Sequence, residues 1–216
     1  MSRRKIVVGI LAYGSLGDDP GEEIGPLVTE KIENVETPFR VEFARTSRTR
    51  GGAPTLVPVS KGGARVEAKI LVLEEYLSED DAAGMLWRRE TRREWSGERY
   101  EPPFEPGVNE VMVRRLENFE RLDVVLYVEI GANITDLTPR KLAELAVRSA
   151  RSKAGREKKD GITYLIGVKK NGVKTPLMPE YEGEILRLTG AETIERAHKM
   201  LTKDSWGNLE PGLPGE

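Results

Sequence analysis

The chain has 216 residues, enough for one domain, or one domain with an appendage, and for a core that needs no covalent staples. Its 34 basic and 36 acidic residues nearly cancel to a net charge of −2, which argues against a disordered polyelectrolyte and against a polybasic nucleic-acid binder. With no cysteine and a single histidine, His198, disulfides, thiolate metal sites, a cysteine nucleophile and multi-histidine centres are excluded, so any chemistry falls to carboxylates, hydroxyls and backbone groups.

Residues 1–5 are basic, but the apolar stretch after them is short and runs into Tyr13-Gly14-Ser15 without a small-residue cleavage site. No run approaches the roughly 18 apolar residues that span a bilayer, so a cytoplasmic location and no membrane partner are expected. Residues 5–12 (KIVVGILA) read as a buried strand ending at a glycine turn. Asp18-Asp19-Pro20-Gly21 is a loop before a predicted helix over 22–33, with Ile24, Leu27, Val28 and Ile32 as its apolar stripe and Pro26 tolerable only near its start. Strands are predicted over 39–46, 54–59 and 65–74, punctuated by Gly51-Gly52 and Gly62-Gly63. Ser78 and Asp81 have capping-box spacing at the head of a helix carrying Ala82, Met85 and Leu86.

Three prolines between 101 and 107 mark a connection. Beyond it, 109–121 is predicted helical, 122–130 (LDVVLYVEI) a strand, and Thr138-Pro139 the start of a helix reaching about Lys153. The basic stretch 148–159 reads as solvated, 162–169 as a short strand, 193–203 as a last helix with His198 on its surface, and the tail from Trp206 as loose. Early strands and late helices without strict βαβ alternation predict an α+β fold with a small barrel or curled sheet.

The first candidate for chemistry is Tyr13-Gly14-Ser15-Leu16-Gly17, directly after the first buried strand. Glycines there let consecutive backbone N–H groups point one way and cradle a carboxylate or an oxyanion. An ordinary strand-ending turn has the same composition. No Lys-Ser or Lys-Thr follows as in a Walker loop, and the third glycine of a dinucleotide fingerprint is missing.

A first strand ending in Tyr-Gly-Ser-Leu, followed by an alternating strand, the Arg50-Gly51-Gly52-Ala53-Pro54 turn, a strand around Val66 to Leu73, a helix with a glutamate and then Tyr100, resembles the γ-glutamylcyclotransferase-like superfamily over residues 5–100. The resemblance implies a small β-barrel flanked by helices, with an extended C-terminal α/β portion beyond the family's compact domain. It implies that Tyr13, Gly14, Ser15 and Leu16 hold the glutamyl part of a small-molecule substrate, and that one glutamate, matching Glu90, serves as acid and base. Glu94, one helical turn on, is the rival, and Tyr100 either lines the pocket or sits in the core. Among Arg88, Arg89, Arg92 and Arg93, Glu90 also fits a solvated, ion-paired helix face.

The expected reaction is attack by the substrate's own α-amine on its γ-carbonyl, releasing 5-oxoproline. One carboxylate can take an ammonium proton and return a proton to the departing amine. Neither a metal nor another cofactor is required. Ser15 lacks a nearby base, and the acids at 18, 19, 22 and 23 read as helix caps. Arg45, Arg48 and Arg50, and the basic residues of 148–159, read as surface charge; without interleaved aromatics no nucleic-acid partner is expected. The predicted organisation is 1–105 carrying the site, 106–205 completing the barrel with added helices, and 206–216 a tail. The competing expectation is a non-catalytic module that binds a small anion, or uses its C-terminal half to bind a protein partner.

Overall fold

The computed structural model describes residues 6–204. Its chain is a mixed α+β structure with seven strands and six α-helices among those residues. They group into two compact units that interleave in sequence. The first takes the chain up to Glu42, Val57–Ala132 and Lys170–Thr175; the second takes Phe43–Leu56, Asn133–Lys169 and the chain from Pro176. No helix among the described residues is long and apolar enough to cross a membrane.

The first unit is built on a five-stranded sheet. In chain order its strands are β1 (Val8–Ala12), β2 (Val28–Glu36), β5 (Glu67–Leu73), β6 (Met112–Phe119) and β7 (Leu122–Glu129), arranged β2-β5-β1-β7-β6. β1 is fully buried because it is the central strand, antiparallel to β5 and parallel to β7. Its continuous apolar run is what a strand covered on both faces requires. Alternation then divides the core. Val8, Ile10 and Ala12 join Leu71, Leu73, Val124 and Leu126 beneath α1 (Glu79–Thr91), while Leu11 joins Ile70, Val72 and Val125 on the other face.

The expected barrel is not closed: among the described residues the sheet is open, with β2 and β6 as its edges. Arg121 Nη2, in the β6–β7 turn, lies 2.8 Å from Glu30 Oε1 on the β2 edge strand.

Two predicted helices are strands. Residues 28–36 form β2, whose register against β5 shifts twice, so its apolar side chains do not alternate cleanly and mimic helical spacing. Residues 112–119 form β6, antiparallel to β7 through a two-residue turn at Glu120-Arg121, both at positive φ. That turn geometry ordinarily calls for Asn-Gly, so Glu-Arg gives no hairpin signal in the sequence.

The strands β3 (Val41–Ser47) and β4 (Ala53–Pro58) pair as a separate two-stranded ribbon, with most of their length and their tip in the second unit. That unit otherwise consists of α2 (Pro139–Ala150), α3 (Lys153–Arg156), α4 (Gly161–Lys170), α5 (Met178–Thr189) and α6 (Ile194–Asp204). α2 starts at the Thr138 cap and Pro139 as predicted, and buries Leu142, Leu145 and Ala146. Residues 162–169 are helical instead of extended. Asp160 accepts the N–H groups of Ile162 (2.8 Å) and Thr163 (3.2 Å), and this cap outweighs the strand preference of Ile162, Thr163 and Tyr164. The predicted tail beyond Trp206 lies outside the described residues.

Candidate functional site

The Tyr13–Gly17 segment leaves the C-terminal end of β1 as a 3-10 turn over Gly14–Leu16. Gly14 sits at φ 72°, a conformation that disfavours a side chain, and it is buried together with Leu16. The turn straddles the end of the sheet. Leu16 packs with Ala82, Met85 and Leu86 of α1, whereas the Tyr13 ring lies on the opposite face beside Leu11 and Ile70. There Tyr13 meets Phe39 edge to face at 5.6 Å, Phe39 stacks on Tyr127 at 4.5 Å, and the Tyr13 hydroxyl donates to the Val128 carbonyl at 3.2 Å.

A narrow cleft opens beside the turn, bordered by Tyr13, Gly14, Gly17, Glu67, Lys69 and Asn171. Its volume of about 10 Å³ is that of one water molecule. Lys69 Nζ stands 3.2 Å from Glu33 Oε2, and its side chain is 32% exposed. Asn171 Nδ2 donates to Asp18 Oδ2 at 2.5 Å, which fixes 170–175 against the acidic turn. A cation, an amide and a carboxylate (Glu67) thus border the cleft. Sequence reading missed these three. Lys69 and Glu67 carry the weak signal of polar positions at the head of an apolar strand, and Asn171 carries none, because it arrives from a distant part of the chain.

Glu90, Glu94 and Tyr100 do not border that cleft. Glu90 lies in the last turn of α1, one turn beyond Leu86, with its side chain 27% exposed and paired with Arg89. Arg89 also donates through Nη2 to the Asp19 carbonyl at 2.5 Å, so one guanidinium links the Glu90 carboxylate to the turn that follows Tyr13–Gly17. Glu94 instead holds backbone, since its Oε1 accepts the N–H groups of Glu22 (2.7 Å) and Glu23 (3.4 Å). Tyr100 is half-buried beside Trp87, and its hydroxyl accepts the Val113 N–H at 3.0 Å. Ser15 is half-buried, and its carbonyl accepts the Asp19 N–H at 2.9 Å.

Glu23 is not the helix cap expected of it. It is buried against Arg88 and the Trp95 N–H. Burial pushes its carboxyl up, but the Arg88 and Trp95 hydrogen bonds and the Arg88 charge outweigh this and hold it below the ordinary glutamate value. The sequence matches no protein-family model and no curated protein.

Proposed function

We propose that the chain is a γ-glutamylcyclotransferase-like enzyme that releases 5-oxoproline from a γ-glutamyl amine or peptide. In this reading the backbone of Tyr13 to Leu16 holds the glutamyl group and Glu90 is the acid–base residue. The observation that carries it is the link, across 70 residues of chain, between Arg89, which pairs with Glu90, and the Asp19 carbonyl just after the Tyr13–Gly17 turn. Leu16 and Leu86 share one core cluster, Glu90 stands a single helical turn past Leu86, and Arg89 ties its carboxylate to Asp19. The same reading takes the five-stranded sheet as the core of the family's barrel-type fold, with the Glu30–Arg121 contact between the β6–β7 turn and the β2 edge in its support.

The chemistry requires few groups. Glu90 removes a proton from the substrate ammonium, and the freed amine attacks its own γ-carbonyl to close a five-membered ring. Backbone N–H groups of the turn stabilise the oxyanion, and as the old C–N bond breaks Glu90 returns its proton to the departing amine, which leaves as an ammonium ion once it has also gained the second proton shed by the ring nitrogen. Because the attack is intramolecular, much of the proximity effect comes with the substrate. The cleft is narrow, so binding of a glutamyl group requires its lining segment 170–175 to move aside.

A second reading rests on a separate observation. Lys69 and Asn171 border the cleft and Glu90 does not, which suits a module that binds a small carboxylate without turning it over. Incubation with γ-glutamyl amines and dipeptides, read by mass spectrometry of 5-oxoproline, decides between the two. Release that disappears in a folded Glu90→Gln variant supports the enzyme. Release that survives in Glu90→Gln and disappears in Glu94→Gln moves the base by one turn. No release, together with carboxylate-induced thermal stabilisation lost in Lys69→Gln, establishes the binding module.

A further inference from the structure

In sequence the arginines at 45, 48 and 50 and the basic stretch 148–159 are separate surface charges; in the second unit the tip that carries Arg48 and Arg50 is joined to that stretch. The Ser149 hydroxyl donates to the Arg50 carbonyl, and Arg50 Nη1 donates to the Lys159 carbonyl at 3.4 Å. Gly51, at φ 63°, comes so close to Ser152 that a Cβ there would lie 2.6 Å from its Oγ. The β3–β4 tip is therefore anchored on the α2–α3–α4 connection, and residues 43–56 carry three arginines and no acidic residue in sequence. Arg48, Arg151, Lys153, Arg156 and Lys158 are exposed around this junction. The one carboxylate within 148–159, Glu157, is 3.4 Å from Lys153 and 3.7 Å from Lys159. Burial, and then the Arg48 charge, push the Arg45 guanidinium below its ordinary value, so like charges crowd here.

We infer that this junction is a binding surface for the phosphate backbone of a nucleic acid, engaged without reading its bases. Planar guanidinium groups suit bidentate contact with phosphate oxygens. The Arg50 guanidinium carbon lies 4.6 Å from the centre of the nearby Tyr164 ring and occupies one of its two faces, which leaves less of the ring for a base to stack on. A membrane surface fits less well. The exposed large apolar side chains among the described residues, such as Trp95, Phe104 and Met200, all lie outside 45–51 and 148–159, and peripheral membrane binding draws on apolar insertion as well as charge. The overall charge near zero does not oppose this, because a local field depends on how charges are distributed.

The full chain is titrated into fluorescein-labelled 20-base-pair DNA and RNA duplexes of two unrelated sequences, by anisotropy, at 50 to 200 mM NaCl. Four or five phosphate contacts give a log–log salt slope of roughly −4 and an affinity loss on the order of a hundredfold over that range, equal for both sequences. Exchanging Arg48, Arg156 and Lys158 together for Gln reduces the slope by about three, and Arg65→Gln in the first unit leaves it unchanged. Glu157→Gln tightens binding, an effect that misfolding would not produce. Undetectable binding at 50 mM NaCl overturns the inference, as does a slope that the triple exchange leaves intact. Binding confined to vesicles of anionic lipid or to polyglutamate also overturns it. None of these readouts depends on 5-oxoproline release.

Discussion

Arg88 and Glu23, 65 residues apart, close a two-point ion pair in which Arg88 Nε lies 2.9 and 3.1 Å from the two carboxylate oxygens and Nη2 lies 2.5 Å from Oε2. Their side chains are 15% and 5% exposed, so neither can turn to water if the other is lost. This pair fixes the 18–24 loop to the end of α1, the end that carries Glu90.

Removing one partner is therefore costly. Glu23→Ala leaves the Arg88 charge largely unpaired and is expected to lower unfolding stability by about 3 kcal/mol in urea titration. Because the folded carboxyl titrates below its unfolded value, its contribution is present above about pH 4 and fades as pH falls through the folded value. The gap between wild type and Glu23→Ala should therefore shrink in acid.

Glu94 receives two backbone N–H groups of the same loop. Glu94→Ala leaves those donors to water and is expected to cost about 1 kcal/mol, with faster amide hydrogen exchange at Glu22 and Glu23 as the local readout. Glu90 pairs with Arg89 instead, so Glu90→Gln should leave exchange at those two amides as in the wild type.

His198 does not lie on a helix surface as its sequence context predicts. It is only 16% exposed, and its Nε2 lies 2.9 Å from Oδ2 of the fully buried Asp160, which also caps α4. Burial raises the Asp160 carboxyl, and hydrogen bonds from His198 and Thr163, with the His198 charge, more than reverse this and lower it. The stabilisation is thus present above about pH 4 and lost as pH falls through the lower folded value. Asp160→Asn is expected to cost about 2 kcal/mol at neutral pH, with the difference narrowing in thermal melts as pH falls below about 4.

Gly9 is the second residue of β1, the central strand of the sheet. A Cβ there would stand 2.6 Å from both Ile70 Cγ2 and Leu122 Cδ1. Gly9→Ala is expected to destabilise by about 1–3 kcal/mol in chemical denaturation, through overpacking in a core that has no room to spread.

Features set by neighbouring residues were legible in the sequence. The apolar runs of β1 and β7, the Ser78 and Thr138 caps and the glycine turn after β1 follow from side-chain type and local spacing alone. Features set by a distant partner were not. β2 and β6 are strands because β5 and β7 supply their hydrogen bonds, and α4 is a helix because Asp160 satisfies its first N–H groups. The sequence could single out Glu90 and the Tyr13–Leu16 turn, but it could not place Lys69 and Asn171 at the cleft or join Arg50 to Ser149. Those juxtapositions depend on strand order and on loop closure over many residues, and only the folded chain decides them.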